Sequence, residues 1–214
     1  MRYLIVCGGK IDKEFGLNEI KTDGIDAIIA ADSGMDFLYE NGVTPDIIVG
    51  DFDSTTTNAL EYFERKGQTE IRRLNPVKDD TDTEYAIRLA ISEGARSIVV
   101  LGATGSRIDH VLGNISLLGI GLESGTDISI IDTNNRIRMA DKPVTIEKSA
   151  QYGRFVSLIA LTDDNEVSLK GFKYPVTDYS FDRFTSLGIS NEIVDDHALI
   201  DIHRGKFIII ESKD

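Results

Sequence analysis

Six short apolar runs alternate with helix-like segments over the first 130 residues. The runs predict strands at 2–7, 26–32, 46–50, 69–74, 96–102 and 127–132. Uninterrupted apolar runs of this length are typical of strands buried on both faces of a parallel sheet. Between them, glycine-terminated segments predict helices at 34–42, 56–67, 81–94 and 108–125. This alternation predicts a doubly wound, mainly parallel α/β sheet.

The pattern changes after about residue 132, where helical spacing disappears. Apolar runs separated by turn residues predict strands at 135–141, 144–148, 154–161, 166–171, 192–196 and 206–212. Residues 175–190 are the least regular part of the chain. We therefore expect two domains, an α/β domain over 1–132 and a small all-β sandwich over 133–214.

Composition narrows the range of functions. The chain has a net charge of −13 and a pI near 4.6, so phosphate repulsion argues against general nucleic-acid binding. The one cysteine, Cys7, leaves no intrachain disulfide and is predicted to be a buried, inert thiol. No run approaches 18 apolar residues, and the start lacks a signal-peptide layout. We expect a cytoplasmic protein without a membrane span.

Aspartates follow three successive predicted strands. They are Asp32 after the second strand, Asp51 and Asp53 after the third, and Asp79, Asp80 and Asp82 after the fourth. The carboxyl ends of parallel strands meet at one edge of a sheet, so these side chains are expected to lie close together. Crowded carboxylates repel each other unless a cation compensates them, and oxygen ligands suit Mg²⁺.

Each of these residues also has an ordinary interpretation. Asp32, Thr81 or Asp82 could cap a helix, "GDFDS" could be a turn, and Arg107 could be a surface charge. Their shared position at one edge of the sheet favours the metal-site interpretation. In that interpretation Phe52, between Asp51 and Asp53, points away from the ion into packing.

The loop after the fifth strand supplies the complementary chemistry for phosphate. In "LGATGSRIDH", Gly102 and Gly105 let the backbone approach a ligand, and Arg107 offers a fork for phosphate oxygens. The helix that follows favours anions at its N-terminus. The loop is neither a Walker A motif nor G-x-G-x-x-G, and a dinucleotide site is supported only by Asp32. "DFDST" also matches the nucleophile loop of haloacid-dehalogenase-type phosphatases, but there it follows the first strand and here the third.

Taken together, the segments resemble the thiamine pyrophosphokinase family. The matching segments, in the family's order, are "ADSG" (31–34), "PDIIVGDFDS" (45–54), "KDDTDTEYAI" (78–87), "GATGSRIDHVLGN" (102–114), "GFKYPV" (171–176) and "SNE" (190–192). The resemblance implies a catalytic ATP- and magnesium-binding domain followed by a thiamine-binding and dimerisation sandwich. It implies transfer of a pyrophosphoryl group from ATP to the thiamine hydroxyl, and a homodimer with the substrate site at its interface.

The resemblance also implies roles for individual residues. Mg²⁺ and the ATP phosphates would be held by Asp32, Asp51, Asp53, Asp79 and Asp82, with Thr81 beside them. Arg107 would contact phosphate, and Asp109 would face thiamine and either orient its hydroxyl or accept its proton. Ser190 and Asn191 would line the thiamine pocket from the second domain.

One difference from the family pattern and two alternative functions remain open at the level of sequence. The chain has no Trp, although animal and fungal members pack a Trp on thiamine. The candidates to replace it are Phe172, Tyr174, Phe181 and Phe184. A pyrophosphokinase for another hydroxymethyl compound, such as a pterin, would share the acidic edge without needing "SNE". A nucleotide-sensing module without turnover would be expected to have lost part of the aspartate set.

Overall fold

The computed structural model describes residues 1–52, 57–75 and 80–214. The chain divides into two compact units, Met1–Thr133 and Asn134–Asp214. The predicted boundary, between residues 132 and 133, lies one residue away. Within the described residues, no helix combines the length and the apolar composition needed to cross a membrane.

The first unit is an α/β structure built on a parallel sheet. Its strands are β1 (Arg2–Val6), β2 (Ala27–Ala31), β3 (Ile47–Gly50), β4 (Glu70–Arg73), β5 (Ser97–Leu101) and β6 (Asp127–Ile131). Its helices are α1 (Lys13–Ile20), α2 (Gly34–Glu40), α3 (Thr57–Lys66), α4 (Asp82–Ser92) and α5 (Ile108–Ser124). Every strand pair in this unit is parallel, as the continuous apolar runs predict. The doubly wound α/β prediction is confirmed.

Strand order explains where a ligand can bind. Within the unit the order is β6-β5-β1-β2-β3-β4, so the chain builds outward from β1 to β4 and then crosses to β5 on the other side of β1. In sheets of this kind the crevice at the carboxyl ends of the strands on either side of the reversal is the usual ligand site. Here the reversal lies between β1 and β5.

The structure contains a helix, α1, before residue 34, where the sequence predicts none. Asp12 caps α1 by accepting a hydrogen bond from the Phe15 amide at 2.9 Å. The helix has only eight residues, and its buried position is Gly16 rather than a large apolar residue. Its hydrophobic periodicity is therefore too weak to be recognised in the sequence.

The second unit consists of two antiparallel sheets. Its strands are β7 (Asn135–Ala140), β8 (Val144–Glu147), β9 (Phe155–Ala160), β10 (Glu166–Lys170), β11 (Val176–Ser180), β12 (Asn191–Glu192), β13 (His197–Arg204) and β14 (Phe207–Ser212). One sheet has the order β12-β9-β14-β7 and the other β11-β10-β13-β8. Side chains of both sheets form one buried apolar cluster, which includes Val156, Ile200 and Phe207. The all-β sandwich prediction is confirmed.

Two strands of this unit are absent from the sequence prediction, and a third is misplaced. β11 lies in the segment read as irregular, and most of its residues are exposed, so it lacks an apolar signal. β13 alternates buried and more exposed residues up to Ile202, and its last two residues are both exposed. The predicted strand at 192–196 is instead the two-residue strand β12.

A buried ionic cluster occupies one end of the sheet that contains β7 and β14. Glu211 is fully buried and receives hydrogen bonds from Arg136, from Arg138 at 2.8 Å, and from the backbone amide of Tyr152 at 2.9 Å. A buried carboxylate is tolerated only when it is paired and hydrogen-bonded in this way. The arginines and the amide thus compensate the buried charge of Glu211, and the cluster has a structural role.

Candidate active site

A cleft of about 870 Å³ lies at the reversal point of the first unit's sheet. Its walls come from the loops after β1, β2 and β5 and from the beginnings of α4 and α5. The lining residues include Gly8, Gly9, Lys10, Asp32, Ser33, Thr81, Asp82, Thr83, Glu84, Gly102, Thr104, Arg107, Asp109, His110 and Asn114. The predicted acidic edge and the predicted phosphate loop therefore share one concave site.

Three of the predicted metal-binding aspartates converge at this edge. Asp32, Asp51 and Asp82 are half-buried, and one carboxylate oxygen from each lies within 4.8 Å of the others. Asp32 sits at a positive φ of 50°, and its amide donates to Val49 O at 2.8 Å, which ties the turn after β2 to β3. Three carboxylates this close raise each other's electrostatic energy unless a cation is bound. An all-oxygen donor set of this kind fits Mg²⁺.

Asp53 and Asp79 lie outside the described residues, so their assignment as metal ligands stays a prediction. Phe52, between Asp51 and Asp53, has a φ of 64° and is half-buried. The Arg73 guanidinium lies 5.4 Å from its ring centroid. The aromatic ring therefore packs, as the sequence interpretation expected.

Thr81 is both a helix cap and a cleft residue. It is the N-cap of α4, and its side chain accepts a hydrogen bond from the Glu84 amide at 3.2 Å. The cap places Asp82 in the first helical turn, where the helix dipole favours a negative charge. In the turn after β2, Ser33 stands at the N-cap position of α2, but its side chain makes no capping hydrogen bond. The ordinary capping interpretation therefore holds for Thr81.

Glycines let the loops at the reversal point pack backbone against backbone. The Gly9 amide donates to Gly102 O at 2.9 Å, and a Cβ on Gly9 would collide with that same carbonyl. Gly102 has a φ of 68°, which side-chain-bearing residues rarely adopt. A Cβ on Gly34 would collide with Val6 O at the end of β1. These contacts fix the shape of the floor of the cleft.

The loop after β5 is held from two sides by side chains. Thr104 Oγ1 donates to Asp132 Oδ2 at 2.9 Å, and Asn114 Nδ2 donates to Ala103 O at 2.8 Å. Asn114 was not identified as a site residue, although it ends the segment "GATGSRIDHVLGN". Its contribution depends on a contact between α5 and the loop, which a sequence pattern does not show.

Arg107 and Asp109 form an exposed ion pair at the mouth of the cleft. Arg107 donates to Asp109 through Nε at 3.3 Å and through an Nη at 2.6 Å. The hydrogen bonds from Arg107 hold the pKa of Asp109 below its usual range, so Asp109 is a carboxylate at neutral pH and a weak base. This arrangement suits a group that orients a hydroxyl better than one that removes its proton.

Cys7 lines the same cleft, but its thiol is unreactive. Its Sγ lies 3.4 Å from Thr83 Oγ1, and burial raises the pKa of the thiol to about 11. The thiol is therefore protonated at neutral pH, as expected for an inert buried cysteine.

The two residues predicted to line a thiamine pocket lie in the second unit. Ser190 is exposed and has a φ of 59°. Asn191 is buried, and its side chain accepts a hydrogen bond from the Tyr174 amide at 3.1 Å and donates one to Tyr174 O at 2.9 Å. Asn191 therefore holds the backbone of Tyr174, and any direct contact with a substrate stays a prediction.

The four candidate stacking aromatics fall into two pairs. Phe172 and Phe181 are buried in the apolar core of the sandwich. Tyr174 and Phe184 are 63% and 91% exposed. Only the second pair is available to a ligand in this unit.

Two family models match the chain. Residues 21–130 match the catalytic domain of thiamin pyrophosphokinase, and residues 143–207 match its vitamin B1 binding domain. A curated thiamine pyrophosphokinase from Bacillus subtilis is 34% identical over 188 residues, which is 87% of each chain. The chain belongs to the thiamine pyrophosphokinase family.

Solved structures agree with this membership. A thiamine pyrophosphokinase crystal structure from Bacillus subtilis superposes with a TM-score of 0.89 and 32% identity, covering 100% of both chains. One from Geobacillus thermodenitrificans has a TM-score of 0.87 and 29% identity, covering 100% of this chain and 98% of that one. Thiamine pyrophosphokinases therefore share both halves of this fold.

Proposed function

We propose that the cleft of the first unit carries the thiamine pyrophosphokinase reaction, in which ATP donates its terminal pyrophosphoryl group to the hydroxyl of thiamine. A bond forms between the thiamine oxygen and the β-phosphorus of ATP, and the bond from that phosphorus to the α-phosphate oxygen breaks. AMP leaves with that oxygen, and the hydroxyl proton passes to solvent or to a nearby carboxylate. The observation that carries the proposal is the convergence of Asp32, Asp51 and Asp82 in a member of this family.

Magnesium is the metal we assign to the acidic edge. Asp32, Asp51 and Asp82 would hold it, and by the family resemblance Asp53 and Asp79 would join them. When bound, Mg²⁺ neutralises phosphate charge and orients the phosphate chain. Three half-buried carboxylates with oxygen atoms within 4.8 Å of each other support this assignment.

Arg107 and Asp109 would act on the reacting groups directly. Arg107 would hydrogen-bond phosphate oxygens and offset the charge that develops as AMP leaves. Asp109, kept ionised by Arg107, would accept a hydrogen bond from the thiamine hydroxyl and hold it in line for attack. Thr81 would position the first turn of α4, and so Asp82, as the helix cap.

The second unit would bind thiamine, and the active molecule would be a homodimer. Ser190 would face the substrate, and Asn191 would act by holding Tyr174, an exposed aromatic suited to stacking on the thiazolium. The unit also exposes Phe184, Leu187 and Ile189, which supports burial of this surface in a dimer. A cytoplasmic location is part of the proposal, supported by a single cysteine that is buried.

The direct test is product analysis. The protein is incubated with ATP, Mg²⁺ and thiamine, and AMP and thiamine diphosphate are measured together. Equimolar formation of both supports the proposal. ADP with thiamine monophosphate would indicate single phosphoryl transfer, and product from a hydroxymethylpterin but not from thiamine would indicate a different acceptor. Nucleotide binding without any product would contradict an enzymatic role.

A further inference from the structure

The loop after β1 contributes a lysine to the cleft, and the proposed function assigns no role to it. Lys10 is exposed and lines the cleft together with Gly8 and Gly9. It lies before residue 21, where the match to the family's catalytic model begins. Neither the motif segments nor the family match therefore assigns it a role.

The backbone on both sides of Lys10 is anchored. Gly9 donates to Gly102 O at 2.9 Å, which joins the β1 loop to the phosphate loop. Ile11 packs against Gly102 and Gly16, where its side-chain carbons would touch an added Cβ. Asp12 then caps α1. Lys10 is thus a flexible side chain on a fixed base, beside the loop predicted to receive phosphate.

The charges lining the cleft are unevenly distributed. Four acids line it: Asp32, Asp82, Glu84 and Asp109. The described lining residues include one lysine, Lys10, and one arginine, Arg107. Arg107 is engaged by Asp109 at 2.6 Å, whereas Lys10 forms no salt bridge with the described part of the chain. The positive charge available to a polyanionic ligand therefore lies on the β1 side of the cleft, at Lys10.

We propose that Lys10 binds the phosphate oxygens of the nucleotide and sets the affinity of the cleft for ATP, with no contact to thiamine. The inference rests on the proposed function for the identity of the nucleotide. A lysine is suited to this role because its compact ammonium can follow a flexible phosphate chain. The same charge repels the thiazolium of thiamine, so the acceptor would bind away from Lys10.

The test compares binding and turnover in matched variants. Lys10→Met removes the charge and keeps the side-chain length, and Lys10→Arg keeps the charge. Lys13→Met is the control, since Lys13 is an exposed lysine at the start of α1 that does not line the cleft. Binding is measured by calorimetry with an ATP analogue carrying a methylene group between the α- and β-phosphorus atoms, which blocks the transfer step. KM is then measured separately for ATP and thiamine.

Loss of one charge-assisted contact predicts about tenfold weaker analogue binding and a similar rise in KM for ATP in Lys10→Met. KM for thiamine should stay within about twofold, Lys10→Arg should restore most of the affinity, and Lys13→Met should match wild type. Lys10→Met binding the analogue as tightly as Lys13→Met would overturn the proposal. A rise confined to KM for thiamine would also overturn it.

The outcomes separate this inference from the proposed function. Analogue binding that depends on Lys10 in a protein that makes no thiamine diphosphate would support the role of Lys10 and reject the activity. Normal thiamine diphosphate formation with unchanged ATP affinity in Lys10→Met would keep the activity and reject the role. A wild-type protein that binds no nucleotide would reject both.

Discussion

At the scale of single residues, the proposed metal site at Asp51 and Asp82 would destabilise the fold until a cation binds. Each carboxylate lies close to the others in the metal-free protein, where like charges repel, and in the proposed mechanism each acts only with a cation present. Effects of substitution on activity and on stability should therefore have opposite signs.

Asp51→Asn and Asp82→Asn should each lower turnover at least about 100-fold, since even residues that only support a metal ligand contribute 10- to 100-fold. Without Mg²⁺, the melting temperature should stay the same or rise because a repulsion has been removed. Asp23→Asn, an exposed aspartate between α1 and β2, is the control. Steady-state kinetics across Mg²⁺ concentrations and thermal unfolding with EDTA test both effects. Near-normal turnover of either variant at limiting Mg²⁺ would disprove the metal assignment.

The Arg107–Asp109 pair gives a prediction about pH. Because hydrogen bonds from Arg107 lower the pKa of Asp109 in the folded protein, the pair stabilises the fold above the unfolded-state pKa. That contribution is lost as pH falls through the lowered folded-state value, and it is small because both groups are exposed. In Arg107→Gln the Asp109 pKa should rise toward its usual range. Carboxyl carbon NMR titration measures it directly, and an unchanged midpoint would show that Arg107 does not control Asp109.

The sequence was sufficient to locate the acidic edge but not to define every residue's role. Asp32, Asp51 and Asp82 could be grouped because parallel topology brings strand ends together whatever the side-chain details. Asn191 could not be understood in this way. Its amide binds the backbone of Tyr174, 17 residues earlier, and only the folded sandwich brings these two together.

At the scale of elements, glycine positions determine how closely helices and loops approach the sheet. Gly34 begins α2 where a Cβ would meet Val6 O, whereas Gly113 lies in α5 with open space around its Cβ position. The same substitution should therefore have opposite effects at these two sites.

Gly34→Ala should lower the free energy of unfolding by about 1–3 kcal/mol, because the helix or the strand end must move to relieve the collision. Gly113→Ala should raise it by about 0.5–1 kcal/mol through better helix propensity. Urea denaturation of both variants provides the comparison. Equal effects at the two positions would mean that close packing does not distinguish them.

The elements that sequence analysis missed share a physical cause. α1 and β11 have too little buried apolar surface to produce a periodic signal. β13 does alternate, with Ala198, Ile200 and Ile202 facing the core, but the acidic segment before it obscures where the strand begins. The buried strands of the parallel sheet were recognised because burial on both faces requires nearly every residue to be apolar.

At the scale of the whole molecule, the proposed homodimer with shared sites can be tested by complementation. An inactive Asp51→Asn subunit is mixed with an inactive Ser190→Lys subunit, which places a positive charge where thiamine is expected. Ser190 is chosen because it is exposed, whereas Asn191 is buried and its substitution could disturb the fold.

If sites are shared between subunits, random exchange should restore about one quarter of wild-type activity, because half of the dimers are hybrids with one intact site. If both residues act within one subunit, every site in a hybrid keeps one lesion and no activity returns. Subunit exchange is verified separately with two differently tagged forms of the protein. Lack of recovery despite exchange would reject the shared site.

The central place of β1 in the sheet has a consequence for synthesis on the ribosome. β1 pairs with β5, and Val6 lies opposite Leu101. At about 5–20 residues per second, roughly 5 to 20 s pass between translation of the two strands, and one edge of β1 lacks this partner throughout. Nascent chains arrested before β5 emerges should therefore be cleaved readily by added protease, and protection of the first unit should appear only after Ser97–Leu101 has left the ribosome. Molecular chaperones that shield exposed strand edges would act on this protein during that interval.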